Sequence, residues 1–171
     1  MSISPNIKLQ QIGKGSFSTV YKLNSNKVLI KSNDYTKECM AHGWGFDSSL
    51  FPKVSFEDND FYSMKLYPKC KAPKKELNKR SYERYTLLRK LMNETFTHNK
   101  YDKYDKLYKL FSDIKDKTLK EALLNAIDGL SNYGSDIGFE ISPRNISFTK
   151  SGNLILLDCF FFISQLEETR K

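Results

Sequence analysis

Three oxygen-bearing side chains towards the C-terminal end have the types and spacing for chemistry on phosphate. Glu140 precedes Asn145 by five positions, and Asp158 follows Asn145 by thirteen. The segment between the last two, "NISFTKSGNLILLD", reads as a β-hairpin that carries the amide and the carboxylate to one place. Both are hard oxygen ligands of the kind that suits Mg²⁺. Glu140, on the loop ahead of them, adds a second carboxylate close by in the chain. Taken singly, Asn145 also reads as a turn residue and Asp158 as a strand cap.

A second set lies near the other end. In "IGKGSFSTVYK", Gly13 and Gly15 stand between apolar, β-branched flanks and mark a hairpin, because glycine supplies the positive φ of a tight turn. By itself the stretch is either a bare turn or a loop that grips phosphates. Lys31, closing "VLIK", is either a phosphate-binding lysine or a surface lysine at a strand end.

The elements that must position these residues follow from periodicity. "NIKLQQIG", "STVYKL" and "KVLIKS" form an antiparallel meander, "YTKECMAHGWG" a short helix closed by glycine, and "KVSFED" and "DFYSMKLY" two further strands. The connector "YPKCKAPKK", at Pro68, divides a strand-rich lobe, 1–67, from a reduced and mainly helical one, 68–171, within a single domain, 1–171. Beyond it, Tyr85, Leu88 and Met92, then Leu107, Leu110, Phe111 and Ile114, recur at helical spacing. "TLKEALLNAIDGL" is the best helix, with Thr118 and Glu121 as a capping box and Leu119, Leu123, Ile127 and Leu130 on one face. The hairpin closes the chain, and the fold class is α+β.

Composition narrows the classes of function. With 171 residues, 39% of them hydrophobic, the chain can bury a core. Cys39, Cys70 and Cys159 are odd in number and far apart, no C-x-x-C pair exists, and His42 and His98 are the only imidazoles. This speaks against a zinc site and for reduced thiols in a cytoplasmic protein. "MSISPNIKLQ" lacks an apolar signal segment, and the longest apolar run, "LILLDCFFFI", carries Asp158 at its centre, so no membrane partner is expected. The net charge of +8 is concentrated between Lys65 and Lys120, where 17 Lys or Arg face 7 Asp or Glu. Nucleic acid is a possible partner for that surplus, but lysine-rich, solvated helix faces that dock a protein are the reading preferred.

A strand-rich lobe, a connector, helices, a loop and a hairpin follow the order of a protein kinase. The kinase pattern Gly-x-Gly-x-x-Gly-x-Val is met by Gly13, Gly15 and Val20, with Ser18 in place of the third glycine, and "VLIK" is similar to Val-Ala-Ile-Lys. Over residues 9–31 and 137–162 the chain resembles a reduced form of the small serine/threonine protein kinases that tailed phages express early in infection. The shared features are the Gly-x-Gly-x-Phe-Ser turn and "NISF" followed by a turn, a strand and Asp. The resemblance implies a bilobal kinase-like fold, ATP and Mg²⁺ as cofactors, and phosphorylation of host or viral proteins in the host cytoplasm. It further implies that N–H groups of Lys14, Gly15, Ser16 and Phe17 cap the β- and γ-phosphates, that Phe17 covers them, and that Val20 packs on adenine. Lys31 would reach the α- and β-phosphates, Glu38 would hold Lys31, and Asn145 and Asp158 would hold Mg²⁺. Glu140 would take the catalytic carboxylate's place and Arg144 would supply the loop's positive charge.

The chain departs from that pattern at several positions. Glu140 stands for Asp, Gly138-Phe139 for His-Arg, Ser142 for the loop Lys, and "DCF" at Asp158–Phe160 lacks the hinge glycine. Eleven residues follow Phe160, too few for the activation segment and substrate-holding helices of a full kinase. Two functions follow: phosphotransfer from ATP to protein Ser/Thr, or a nucleotide-binding pseudokinase that inhibits a partner. The retained Lys31, Asn145 and Asp158 favour the first, and the reduced substrate platform favours the second.

Overall fold

The computed structural model describes residues 9–95 and 103–171. The first half is a five-stranded antiparallel sheet built from β1 (Gln10–Lys14), β2 (Ser18–Lys22), β3 (Lys27–Ser32), β4 (Val54–Asp58) and β5 (Phe61–Lys65), in the spatial order β1-β2-β3-β5-β4. The expected first strand thus begins later than "NIKLQQIG" suggested, and its first residues, like His98, lie outside the described range. Period-two alternation places Val28, Ile30 and Ser32 on one face of β3, and all three are buried. Between β3 and β4 runs α1 (Tyr35–His42). Asp34 caps it by accepting from Thr36 N–H, and Gly43 ends it at φ 72°, a left-handed conformation that glycine takes without penalty.

The second half holds α2 (Pro73–Glu76), α3 (Lys79–Thr95), α4 (Lys103–Ser112) and α5 (Lys117–Ser131). The expected face of α5 is the centre of the core: Leu119, Leu123, Ile127 and Leu130 are all fully buried. Each contributes on the order of 1.5–3 kcal/mol of apolar burial. Leu107, Phe111 and Ile114 are buried with them, as expected, whereas Leu110 is only partly covered. The capping box is corrected. The N-cap is Asp116, one residue before the helix, and its carboxylate accepts from Leu119 N–H at 3.1 Å. Glu121 instead faces Lys117 at 3.8 Å, one turn away.

After α5 come β6 (Ile137–Phe139), β7 (Ile146–Phe148), β8 (Leu154–Leu156), β9 (Phe160–Phe162) and α6 (Ile163–Thr169). The β7–β8 hairpin was expected. The antiparallel β6–β9 pair and α6 were not, because three-residue strands carry too little alternation to show. Phe111, Phe139 and Phe160 stack edge-on and tilted, with centroids 5.3–6.3 Å apart, and join this pair to α4. Cys39, Cys70 and Cys159 are buried and unpaired. Burial pushes the thiols of Cys39 and Cys70 up to about 12. Among the described residues no helix is long and apolar enough to cross a membrane.

The basic middle is not wholly a solvated face. Arg84 donates two hydrogen bonds to Asp116, at 2.8 and 2.9 Å, and Arg80 adds longer ones. The Arg84 hydrogen bonds hold the Asp116 carboxyl well below the usual range, against the opposing effect of burial. Because the folded carboxyl binds its proton less tightly than the unfolded one, the stabilisation is complete above about pH 4 and is lost as the pH falls below that. Asp116→Ala should therefore cost about 2 kcal/mol at neutral pH through the lost cap and ion pair. Urea unfolding should show a smaller loss of stability on acidification in the variant than in the wild type.

Candidate active site

The residues singled out near the C-terminal end are brought together by backbone hydrogen bonds. Where the β6–β9 ladder ends, Glu140 N–H donates to the Cys159 carbonyl at 2.9 Å. The next residue, Ile141, is fully buried and clamped from α3. Arg89 donates to its carbonyl at 2.7 Å, and its own N–H reaches Met92 Sδ at 3.1 Å. The chain then turns, with Asn145 N–H donating to the Ser142 carbonyl at 3.0 Å. The Asn145 carbonyl accepts from Leu157 N–H at 2.9 Å and Asp158 N–H at 3.2 Å. Those two bonds bring the backbones at Asn145 and Asp158 together.

They open onto a cleft of about 410 Å³. Its walls include Lys14, Gly15, Ser16, Phe17 and Val20 on the sheet side and Glu140, Arg144, Asn145 and Asp158 opposite. Gly13 is not in the wall. It lies in β1 opposite Val20, in ordinary contact with that side chain. Neither Gly13 nor Gly15 has a positive φ, so the turn is not the left-handed one its glycines suggested. It closes instead through Gly15 N–H to the Ser18 carbonyl at 2.8 Å. The N–H groups of Ser16 and Phe17 have no acceptor among the described residues and stay available at the cleft.

Two expected residues are elsewhere. Lys31 is on the face of β3 opposite Val28 and Ile30, exposed, with its ammonium 5.8 Å from the centre of the Phe61 ring. At the end of the strand Ser32, on the buried face, is tied to the glycine turn. Its Oγ lies 2.7 Å from Ser18 Oγ, donates to the Phe17 carbonyl at 3.2 Å and accepts from Asp34 N–H at 3.1 Å. Glu38 does not hold Lys31. It acts on Tyr133 instead, whose hydroxyl is pushed up to about 12, first by burial and then by that carboxylate.

The lysine that does face Asp158 comes from α1, and the sequence reading passed it over. Lys37 is 4% exposed, and its Nζ lies 2.8 Å from Asp158 Oδ1 and 3.4 Å from the Leu157 carbonyl. Burial works against its charge, yet the carboxylates of Asp158 and Asp34 hold the ammonium above its ordinary value. Burial raises the Asp34 carboxyl, with Lys37 opposing the shift and Asp158 adding to it. An Asp N-cap followed three residues later by Lys is the only mark this pair leaves in the sequence, and it resembles any helix start.

The donor set fits a magnesium ion bound together with phosphate. Asp158 keeps 49% of its side chain exposed with one oxygen on Lys37, and the Asn145 amide has no hydrogen bond among the described residues. Among those residues no cluster of three His, Cys, Asp or Glu could enclose a metal by itself. Mg²⁺ is commonly held by one or two protein oxygens, with phosphate and water completing its shell.

No family model matches the sequence, and no curated protein does. Among solved structures, the fold is similar to the streptomycin–ATP ternary complex of APH(2")-IIa, at TM-score 0.42 and 16% identity over 93% of this chain and 69% of that one. It is similar likewise to the gentamicin complex of APH(2")-IIa, at 0.41 and 16% over 92% and 68%. The ADP-bound aminoglycoside phosphotransferase APH(2'')-Ib gives 0.42 and 16% over 93% and 69%.

Gly138 fills the place where the kinase pattern has a histidine, and its neighbour explains why. It pairs with Phe161 across the β6–β9 ladder, and a Cβ there would lie 2.4–2.8 Å from carbons of the Phe161 ring. Phe161 is itself part of the cleft wall. Gly138→Ala should push that ring aside at a cost of about 1–3 kcal/mol, the usual range for overpacking. A lowered urea midpoint with unchanged slope would report it, and an unaltered midpoint would show that the ring adapts freely.

Proposed function

We propose that the cleft binds a magnesium–nucleoside triphosphate, ATP in the first instance, and that the protein transfers its terminal phosphoryl group to a hydroxyl acceptor. The observation that carries the proposal is the convergence of free turn N–H groups, Asn145, Glu140 and Asp158, the last held by the buried Lys37, on one cavity. Phosphoryl transfer needs positioning and charge stabilisation more than covalent chemistry, and these groups supply both.

Ser16 and Phe17 N–H groups donate to phosphate oxygens, and Val20, half-buried in the cleft wall, offers an apolar contact to the base. Asn145 and Asp158 would hold Mg²⁺, which would supply charge neutralisation at the triphosphate. Lys37 takes the part expected of Lys31 by holding Asp158 from behind the cleft wall. Arg144, exposed on the loop, adds a second charge. Glu140 is exposed and has its backbone fixed to Cys159, so it can orient an incoming hydroxyl. In its finer form the proposal follows the resemblance to phage kinases, with a Ser or Thr hydroxyl of a host or viral protein as the acceptor. Exposure of Glu140 at the mouth of the cleft supports an acceptor presented on a chain.

Millimolar Mg-ATP should raise the melting temperature of the wild type and of Lys31→Ala, and should leave Lys37→Met and Asp158→Ala unchanged. Glu140→Gln should bind nucleotide normally and transfer phosphate about a hundredfold more slowly, the usual scale for such a group. Intact mass and labelled ATP read the transfer. Nucleotide binding with no transfer to the protein itself or to a host lysate would give the pseudokinase reading instead.

A further inference from the structure

The wall of the cleft beyond Glu140 is built by the β9–α6 unit, which the proposed reaction leaves without a role. Phe161, Leu166 and Arg170 line the cavity from this side. The unit is firmly seated. Ile163 and Ser164 N–H donate to the carbonyl and carboxylate of Asp136, and the Gln165 amide donates to the Asn33 carbonyl. Arg170 stands at the exposed end of α6 and, like Arg144 on the opposite loop, has no ion pair among the described residues. Two guanidinium groups therefore line the cavity together with Glu140, while the cavity's other carboxylate, Asp158, is already paired with Lys37.

We infer that β9–α6 forms the acceptor subsite and that Arg170, with Arg144, selects a hydroxyl acceptor carrying a carboxylate or phosphate next to an apolar contact. The inference rests on the phosphotransfer reading. A polycationic acceptor would meet two like charges there, whereas an anionic one gains charge-assisted hydrogen bonds from planar donors suited to carboxylate and phosphate. Phe161 and Leu166 supply the apolar surface between them.

The test is a binding titration of the whole protein with a non-hydrolysable ATP analogue and Mg²⁺ present, so that its outcome does not depend on turnover. One arm uses serine peptides flanked by Glu or by Lys, and the other glycerol 3-phosphate against glycerol. The anionic member of at least one pair should bind about tenfold more tightly, the worth of one charge-assisted contact. Arg170→Ala should erase that preference and Arg170→Glu should reverse it, a response that a merely structural residue would not give. Affinity for the ATP analogue should stay unchanged in both variants. No preference in either arm, a preference that survives Arg170→Glu, or a parallel loss of nucleotide affinity would overturn the inference. Selective binding without phosphorylation would leave the subsite standing and remove the phosphotransfer reading.

Discussion

A buried ammonium has to be paired, and much of this protein's arrangement follows from that requirement at Lys37. Leaving such a charge uncompensated in the interior costs several kcal/mol, so α1 and the β8–β9 junction are held in a fixed relation. Asp158 can serve as the partner only because the Asn145 carbonyl holds the backbone of residues 157 and 158. On the other side, Asp34 caps α1 and is tied through Ser32 to Ser18 and the Phe17 carbonyl. One chain of polar contacts thus runs from the glycine turn to the metal-fitting carboxylate.

Much of the helical half supports that chain without touching the cleft. Arg89 and Met92 of α3 clamp the loop at Ile141, and Arg84 of the same helix anchors the start of α5 through Asp116. Residues that look like surface charge in a basic stretch are in these cases internal fasteners. The aromatic trio of Phe111, Phe139 and Phe160 then fixes the β6–β9 pair from which Glu140 and Asp158 depart.

The sequence made the large elements legible and misplaced the details that depend on direction. The meander, the short helix and α5 could be read because each spans more than one period of its pattern, and the β7–β8 hairpin because the turn "KSG" parts two short apolar runs. Asn145 and Asp158 were legible because a hairpin of known length fixes where its ends meet. Lys31 misled because motif matching counts positions, whereas the pleat decides which face of β3 a side chain takes, and Lys31 stands away from the cleft. Lys37 was invisible for the converse reason. Nothing local distinguishes a lysine in a first helical turn that is solvated from one that is swallowed by packing. The β6–β9 ladder was lost because three residues give one alternation, and because its partner strands lie 23 positions apart in the chain.

The three cysteines sit at separate points of this network: Cys39 within α1, Cys70 in the connector, and Cys159 beside Asp158. Their thiols are buried and hold their protons far above neutral pH. Only thiolates attack alkylating reagents at useful rates, so each sulfur is silent until its surroundings open. The native chain therefore carries three internal clocks. The rate at which each thiol becomes labelled measures the opening of its own neighbourhood, and a comparison of the three separates local fraying from global unfolding.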